Sequence, residues 1–284
     1  MPVRLYFILA LALFSVSTTS LVIRYVVDVP TVVMAFWRMF LASIILWAYS
    51  GFKPAGSLNK ENRFHIILAG LFLGGHFACF FSGVRLTTIA NATLLGNVAP
   101  VFTSIFERVQ GKSWNQKTII GLVFSFFGAI VIQSGGLINP GSATGNGLAL
   151  LSSFFMALAW IQAKRIRKKT TTVVYSRSLF LIAAGTILVV LLVLGDSPLD
   201  FEKRHVPWFL FLGFVPSVLG HNLLNYSVRF ISSTAVASVV LGEPVLASVF
   251  GYAFFQEPVP VMSLIGGPMI LLGLFYILKN QSKN

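Results

Sequence analysis

The chain has 284 residues, 56% of them hydrophobic and only 10% charged, with 21 Lys+Arg against 8 Asp+Glu. Its mean hydropathy is +0.84. A soluble domain covers its core with far more charge, a disordered chain lacks this apolar content, and a disulfide-stapled module needs more than the single Cys79. The composition is that of an all-α, polytopic membrane protein.

A hydrocarbon layer about 30 Å thick takes ~20 residues of helix. In chain order the apolar runs predict ten spans: 5–23, 31–49, 64–83, 89–106, 118–132, 147–163, 173–194, 206–226, 234–255 and 261–278. Turn and charge signals separate them, among them Asp28 with Pro30, Lys53-Pro54, Asn139-Pro140-Gly141 and Glu257-Pro258. The first run follows Arg4 and closes in Ser15, Ser17, Thr18, Thr19 and Ser20, which raises a cleaved signal peptide. Nine more spans follow it, and the expectation is a retained first helix.

Basic residues orient the bundle. With a cytoplasmic N-terminus, Arg4, the Lys53, Lys60 and Arg63 group, Arg108, Lys112 and Lys117, the 164–169 cluster with Arg177, Arg229, Lys279 and Lys283 all face inside. Only Arg24, Arg85, Lys203 and Arg204 fall outside, and Arg38 lies within a span. The positive-inside bias therefore expects both termini in the cytoplasm of a cell inner membrane. A nucleic-acid partner is not expected, because these bases punctuate apolar runs and form no stripe on a soluble fold.

The sequence also repeats itself. At an offset of 144, Arg85 pairs with Arg229, Pro100 with Pro244, Ser104 with Ser248 and Phe106 with Phe250. With a slip of one, Gly75-His76 matches Gly220-His221, and Gly121 and Gly128 match Gly266 and Gly273. At 139, Arg38 sits opposite Arg177. A five-helix unit is odd-numbered, so its second copy enters the membrane upside down. The expectation is two inverted five-helix repeats, 1–140 and 141–284, an arrangement found in secondary transporters.

This architecture, with Asn97-Val98-Ala99-Pro100-Val101, Leu241-Gly242-Glu243-Pro244-Val245-Leu246-Ala247, Phe255-Gln256-Glu257 and the stretch 38–43, resembles the drug/metabolite transporter superfamily, EamA type. The resemblance implies a ten-helix carrier with a central cavity that moves small organic solutes, commonly outward. The first half departs from the pattern, with Ser113 where the second has Glu257.

Polar residues inside such spans are informative, since a charge at the bilayer centre costs at least ~2.5 kcal/mol. Among the acidic residues Glu243 alone reads as deep. It is open to three readings: a proton-titrating or cation-binding group, an ion-paired packing residue, or a neutral hydrogen-bonding one. Pro244 and Pro100 each free a carbonyl one turn earlier, near Val240 and near Gly96 beside Asn97, which predicts two loosened helices at the midplane. Arg38 is read either as a ligand for a solute carboxylate or for Glu243, or as a snorkelling base. His76 and His221 are hydrogen-bonding or proton-relay candidates. Asn222 is expected to face the cavity, and Trp160 and Phe80 to form part of an aromatic wall. Gly70 with Gly74, and Ala247 with Gly251, read as close-packing steps.

No phosphate loop, His-Glu-x-x-His or Gly-x-Ser-x-Gly is present, and neither a metal, a cofactor nor a catalytic group is expected. The partners expected are a small-molecule solute, membrane lipid and, through Glu243, protons. The resulting expectation is a secondary-active transporter of a small organic metabolite, such as an amino acid or related compound. Two rivals stand beside it: a lipid-substrate flippase or membrane-embedded enzyme, and a non-transporting scaffold or sensor.

Overall fold

A computed structural model describes residues 1–51, 58–113, 115–137, 142–256 and 259–281. The expected breaks at Lys53-Pro54, Asn139-Pro140-Gly141 and Glu257-Pro258 lie outside them. The described elements are helical throughout: α1 (Val3–Tyr25), α2 (Thr31–Tyr49), α3 (Lys60–Leu86), α4 (Ile89–Gly96), α5 (Ala99–Val109), α6 (Gln116–Leu137), α7 (Ala143–Ile166) and α8 (Thr172–Leu194). Next come a short 3-10 turn and α9 (Val206–Leu212), a π-helical stretch (Gly213–His221), α10 (Asn222–Ser227), α11 (Ser233–Val239), a second 3-10 turn (Val240–Gly242), α12 (Glu243–Phe255) and α13 (Val261–Lys279).

Nine of the ten expected spans are long and apolar enough to cross a bilayer among the described residues. The fourth is instead two short helices, α4 of 8 residues and α5 of 11, with Asn97 and Val98 between them. Pro100 sits in the first turn of α5, where its missing N–H costs nothing. In lipid the interrupted backbone needs partners. Ser153 of α7 supplies them: its hydroxyl accepts from Val98 N at 3.1 Å and donates to Leu95 O at 2.5 Å. The ninth span breaks more gently, through the 3-10 turn that places Pro244 in the first turn of α12. Matching caps open the two broken spans, Thr88 Oγ1 accepting from Asn91 N and Ser232 Oγ from Ala235 N.

Packing fixes the directions of the helices. Along α6 and α13, Gly121 meets Gly273 and Gly128 meets Gly266, so the pair runs antiparallel. The approach is close enough that a Cβ on Gly121 would stand 2.8 Å from the Gly273 carbonyl, and one on Gly128 2.7 Å from that of Gly266. Exchanging each glycine for its counterpart at the sequence offset converts one contact into the other. The Gly70 and Gly74 step packs on α8, against Ile182 and Thr186. The α7 face of α3 runs the other way, with Gly75 at Phe155 and Gly83 at Gly145.

Candidate functional site

Between the two broken spans lies a cavity of about 450 Å³. Glu243, Pro244 and Val240 reach it from the ninth span, Asn97, Gly96 and Thr93 from the fourth, Arg38 from α2, and His76 and Phe80 from α3. His221 enters at the last residue of the π-helical stretch.

Each polar group is positioned by local chemistry. Arg38 is 2% exposed; its Nε donates to Ser217 Oγ at 2.9 Å, and its guanidinium carbon lies 4.7 Å from the centre of the Phe77 ring. Ser217 in turn donates to Leu212 O at 2.9 Å, so the π-helical stretch around Pro216 has its loosened carbonyl satisfied while presenting an acceptor to Arg38. Arg38 and Glu243 act on each other electrostatically without an ion-pair contact among the described residues, and the Asn97 side chain is a polar neighbour of the Glu243 carboxyl. His76 Nδ1 lies 3.0 Å from Ser152 O. A carbonyl only accepts, so Nδ1 carries the proton and Nε2 of the neutral ring is left as an acceptor. The rings of His76 and Phe80 stack at 6.0 Å, and His221 meets Phe77 edge-on at 5.5 Å.

Of the residues singled out from sequence, Glu243, Asn97, Arg38, His76, His221, Phe80 and Pro244 line this cavity. Pro100, Trp160 and Asn222 do not. Pro100 is buried against neighbouring helices. Trp160 is 3% exposed and borders a separate small void beside Tyr175 and Asn225, its Nε1 without a hydrogen-bond partner among the described residues. Asn222 follows His221 directly, and the one-residue turn of the helix carries it off the cavity face. Ala247 and Gly251, expected to be a packing step, line the cavity instead. Sequence reasoning missed Thr19 and Gln133. Both line the cavity, and Thr19 Oγ1 and Gln133 Oε1 are buried with no hydrogen-bond partner among the described residues. Thr19 was readable only as part of a polar run at the end of α1.

The cavity extends towards one end of the bundle only. Ile23, Val84 and Gln133, near the C-terminal ends of α1, α3 and α6, and Pro260, the residue before α13, belong to its lining. At the opposite end α5, α7, α8 and α11 are joined by polar contacts. Glu107, which reads as a helix-end residue, is 8% exposed and caps α11: Ser233 N donates to Oε1 at 3.0 Å and Thr234 Oγ1 to Oε2 at 2.9 Å. Lys112 Nζ completes the set at 3.0 Å. Ser233 Oγ also donates to Trp160 O at 3.2 Å. Arg167, at the α7–α8 turn, donates to Asn225 O at 2.9 Å, to Thr172 Oγ1 at 2.6 Å and to Thr170 O. Burial, helped by nearby Arg229, pushes its guanidinium down to about 10, which leaves it charged at neutral pH. Arg177, read from sequence as marking the boundary, is buried as well: Nη1 donates to Ser50 Oγ at 2.8 Å, and the guanidinium carbon lies 3.9 Å from the centre of the Trp47 ring. The open end has its own surface link, Asp28 with Arg204 at 2.5 Å and with His205 at 3.1 Å.

Known proteins share both the sequence and the shape. The model of the EamA-like transporter family matches residues 4–134 and again 143–279. An uncharacterized transporter of Archaeoglobus fulgidus is 26% identical over 257 residues, covering 87% of this chain and 88% of its own length. The pseudopaline exporter CntI of Pseudomonas aeruginosa is 22% identical over 269 residues, covering 92% and 91%. A solved structure titled simply as the crystal structure of a protein superposes with a TM-score of 0.82 at 16% identity, over 96% of both chains, which establishes the fold. A polytopic helical bundle, matched twice along its length by one family model and akin to proteins named as transporters, places this chain in the EamA-like transporter family.

Proposed function

We propose that this membrane transporter is a secondary-active carrier that moves a small organic metabolite, such as an amino acid or a related compound, across the inner membrane by alternating access. The observation that carries the reading is the cavity. It lies between two broken spans, holds one cationic and one carboxyl side chain, and extends to one end of the bundle while polar contacts join the other. Its volume of about 450 Å³ falls in the range that accepts a small organic ligand.

In this reading residues 1–140 and 141–284 are inverted copies, and the exchange of the Gly121–Gly273 and Gly128–Gly266 contacts supports that symmetry. Both termini are cytoplasmic, so the cavity mouth faces away from the cytoplasm and the Glu107 cap closes the inner side. A solute carboxylate pairs with Arg38, held by Ser217 and Phe77. A solute ammonium, or a proton in its place, is taken by Glu243, and the orphaned oxygens of Thr19 and Gln133 accept from donors nearer the mouth. His76 and Phe80 supply an aromatic wall. Rocking the halves about the α6–α13 contact breaks the Glu107 cap and closes the mouth, and gradients set the net direction. The Pseudomonas relative is named a pseudopaline exporter, which supports the carrier reading.

The test is flux in proteoliposomes of a metabolite first found by thermal shift on the purified protein, since a ligand that binds only the folded state raises its melting point. Saturable uptake that Arg38→Gln abolishes supports the reading. Uptake no faster than in empty vesicles, for every solute that stabilises the protein, overturns it.

A further inference from the structure

Beside the Glu107 cap, at the closed end, the chain forms a second concavity of about 890 Å³ between the ends of α5 and α7 and the start of α11. Five of its lining residues are basic, Lys112, Lys164, Arg165, Lys168 and Arg229, and none of the lining residues is acidic. They come from three segments far apart in sequence, so loop composition alone does not gather them. Arg165, Lys168 and Arg229 are exposed and make no ion pair among the described residues. Lys164 is fixed in place, its Nζ donating to Ile231 O at 2.8 Å. Lys112 and Lys168 repel it electrostatically, and Glu107, which pairs with Lys112 just outside the lining, attracts it.

Cations facing one another across a concave surface repel, and a multivalent anion between them relieves that repulsion while accepting several charge-assisted hydrogen bonds. The repeat does not dictate the charge, because the counterpart of Lys112 at the other end is Gln256. Nor does the carrier reading require it, since the solute cavity has a different lining.

We propose that this pocket is a binding site for a phosphate-bearing anion. Arg165, Lys168 and Arg229 clasp the phosphate, and Lys164 forms the inner wall. Two sources present the same chemistry at helix ends near the membrane surface: a soluble phosphate compound and the headgroup of an anionic phospholipid.

The full chain, purified in a neutral detergent, tests the proposal without any transport assay. Inorganic pyrophosphate is titrated calorimetrically at fixed ionic strength against wild type, Arg165→Gln/Lys168→Gln and the charge-keeping Arg165→Lys/Lys168→Arg. In a second arm, nanodiscs of phosphatidylcholine with a minor share of phosphatidylglycerol are dissolved, and native mass spectrometry counts the retained lipid. The expected result is binding by wild type and the charge-keeping variant, weakened by roughly tenfold or more in the glutamine variant. Loss in the pyrophosphate arm identifies a soluble ligand, and loss in the lipid arm a headgroup. Equal behaviour of wild type and the glutamine variant in both arms, or no binding in either, overturns the proposal. Because the exposed residues replaced lie outside the cavity, this outcome is independent of any flux result.

Discussion

Thr234 Oγ1 donates to Glu107 Oε2 at 2.9 Å, joining residues 127 positions apart, and the repeat counterpart of Glu107 is Gly251, which lines the cavity. The 144-residue offset thus pairs a buried carboxylate with a residue that has no side chain. A carboxylate that accepts from Ser233 N and Thr234 Oγ1 at the first turn of α11 also meets the positive end of that short helix. The asymmetry favours a bundle closed on the Glu107 side.

Glu107→Ala therefore opens that end. It leaves a buried N–H and a buried hydroxyl without acceptors, each costing about 1–3 kcal/mol. The expected result is a lower melting temperature and a population shifted away from the conformation described above. In a Cys79→Ala background, a cysteine at Gln133 then reacts several-fold more slowly with a membrane-impermeant thiol reagent applied from the mouth side. An unchanged rate with a lowered melting temperature reduces Glu107 to a helix cap.

Glu243 is the carboxyl in the cavity, and its role in coupling is testable by removing its charge while keeping its shape. With Glu243→Gln, flux across a pH gradient loses its dependence on pH between about pH 5 and 8, while the folded yield and ligand-free melting temperature stay close to wild type. A variant that keeps the wild-type pH profile takes Glu243 out of any proton-coupled step.

Most of the bundle was legible because bilayer thickness imposes a length that apolar runs reveal directly, as α2, α8 and α13 do. The breaks were legible only in part. Pro100 and Pro244 announce weakened helices, but α4 ends where it does because Ser153, on another helix, can satisfy its free backbone groups. The π-helical stretch depends likewise on Ser217, which serves Leu212 and Arg38 together. Helix facing was harder still. Nothing in the local pattern turns Trp160 away from the cavity or Ala247 towards it, since spans apolar all round carry no moment to orient them. Glu107 escaped because the Ser233 and Thr234 groups it accepts from lie 126 and 127 positions away, and its own neighbourhood, Lys112 included, reads as an ordinary helix end.

Small residues at the α6–α13 contact give a prediction with an internal control. Gly128→Leu places a side chain where even a Cβ would stand 2.7 Å from a carbonyl, so it separates the helices and costs about 1–3 kcal/mol or more. Gly185 on α8 has nothing within 4 Å of an added Cβ, and Gly185→Ala is expected to be neutral or slightly stabilising. Thermal unfolding of both in one detergent checks the contrast. Equal melting temperatures would show that the α6–α13 contact is loose.

Arg38 is held by two features a lysine cannot reproduce, the Nε donation to Ser217 and the planar guanidinium over Phe77. Arg38→Lys keeps the charge but gives up the fork that matches a carboxylate. With a carboxylate-bearing solute, its KM for transport rises by roughly tenfold, with a smaller change in maximal rate. Ser217→Ala removes both the acceptor for Arg38 and the donor to Leu212 O, and is expected to raise KM in the same direction by less while lowering the melting temperature. Should Arg38→Lys transport a carboxylate solute with unaltered KM, Arg38 serves the packing of α2 against the π-helical stretch, and solute recognition rests on the Glu243 and Asn97 side of the cavity.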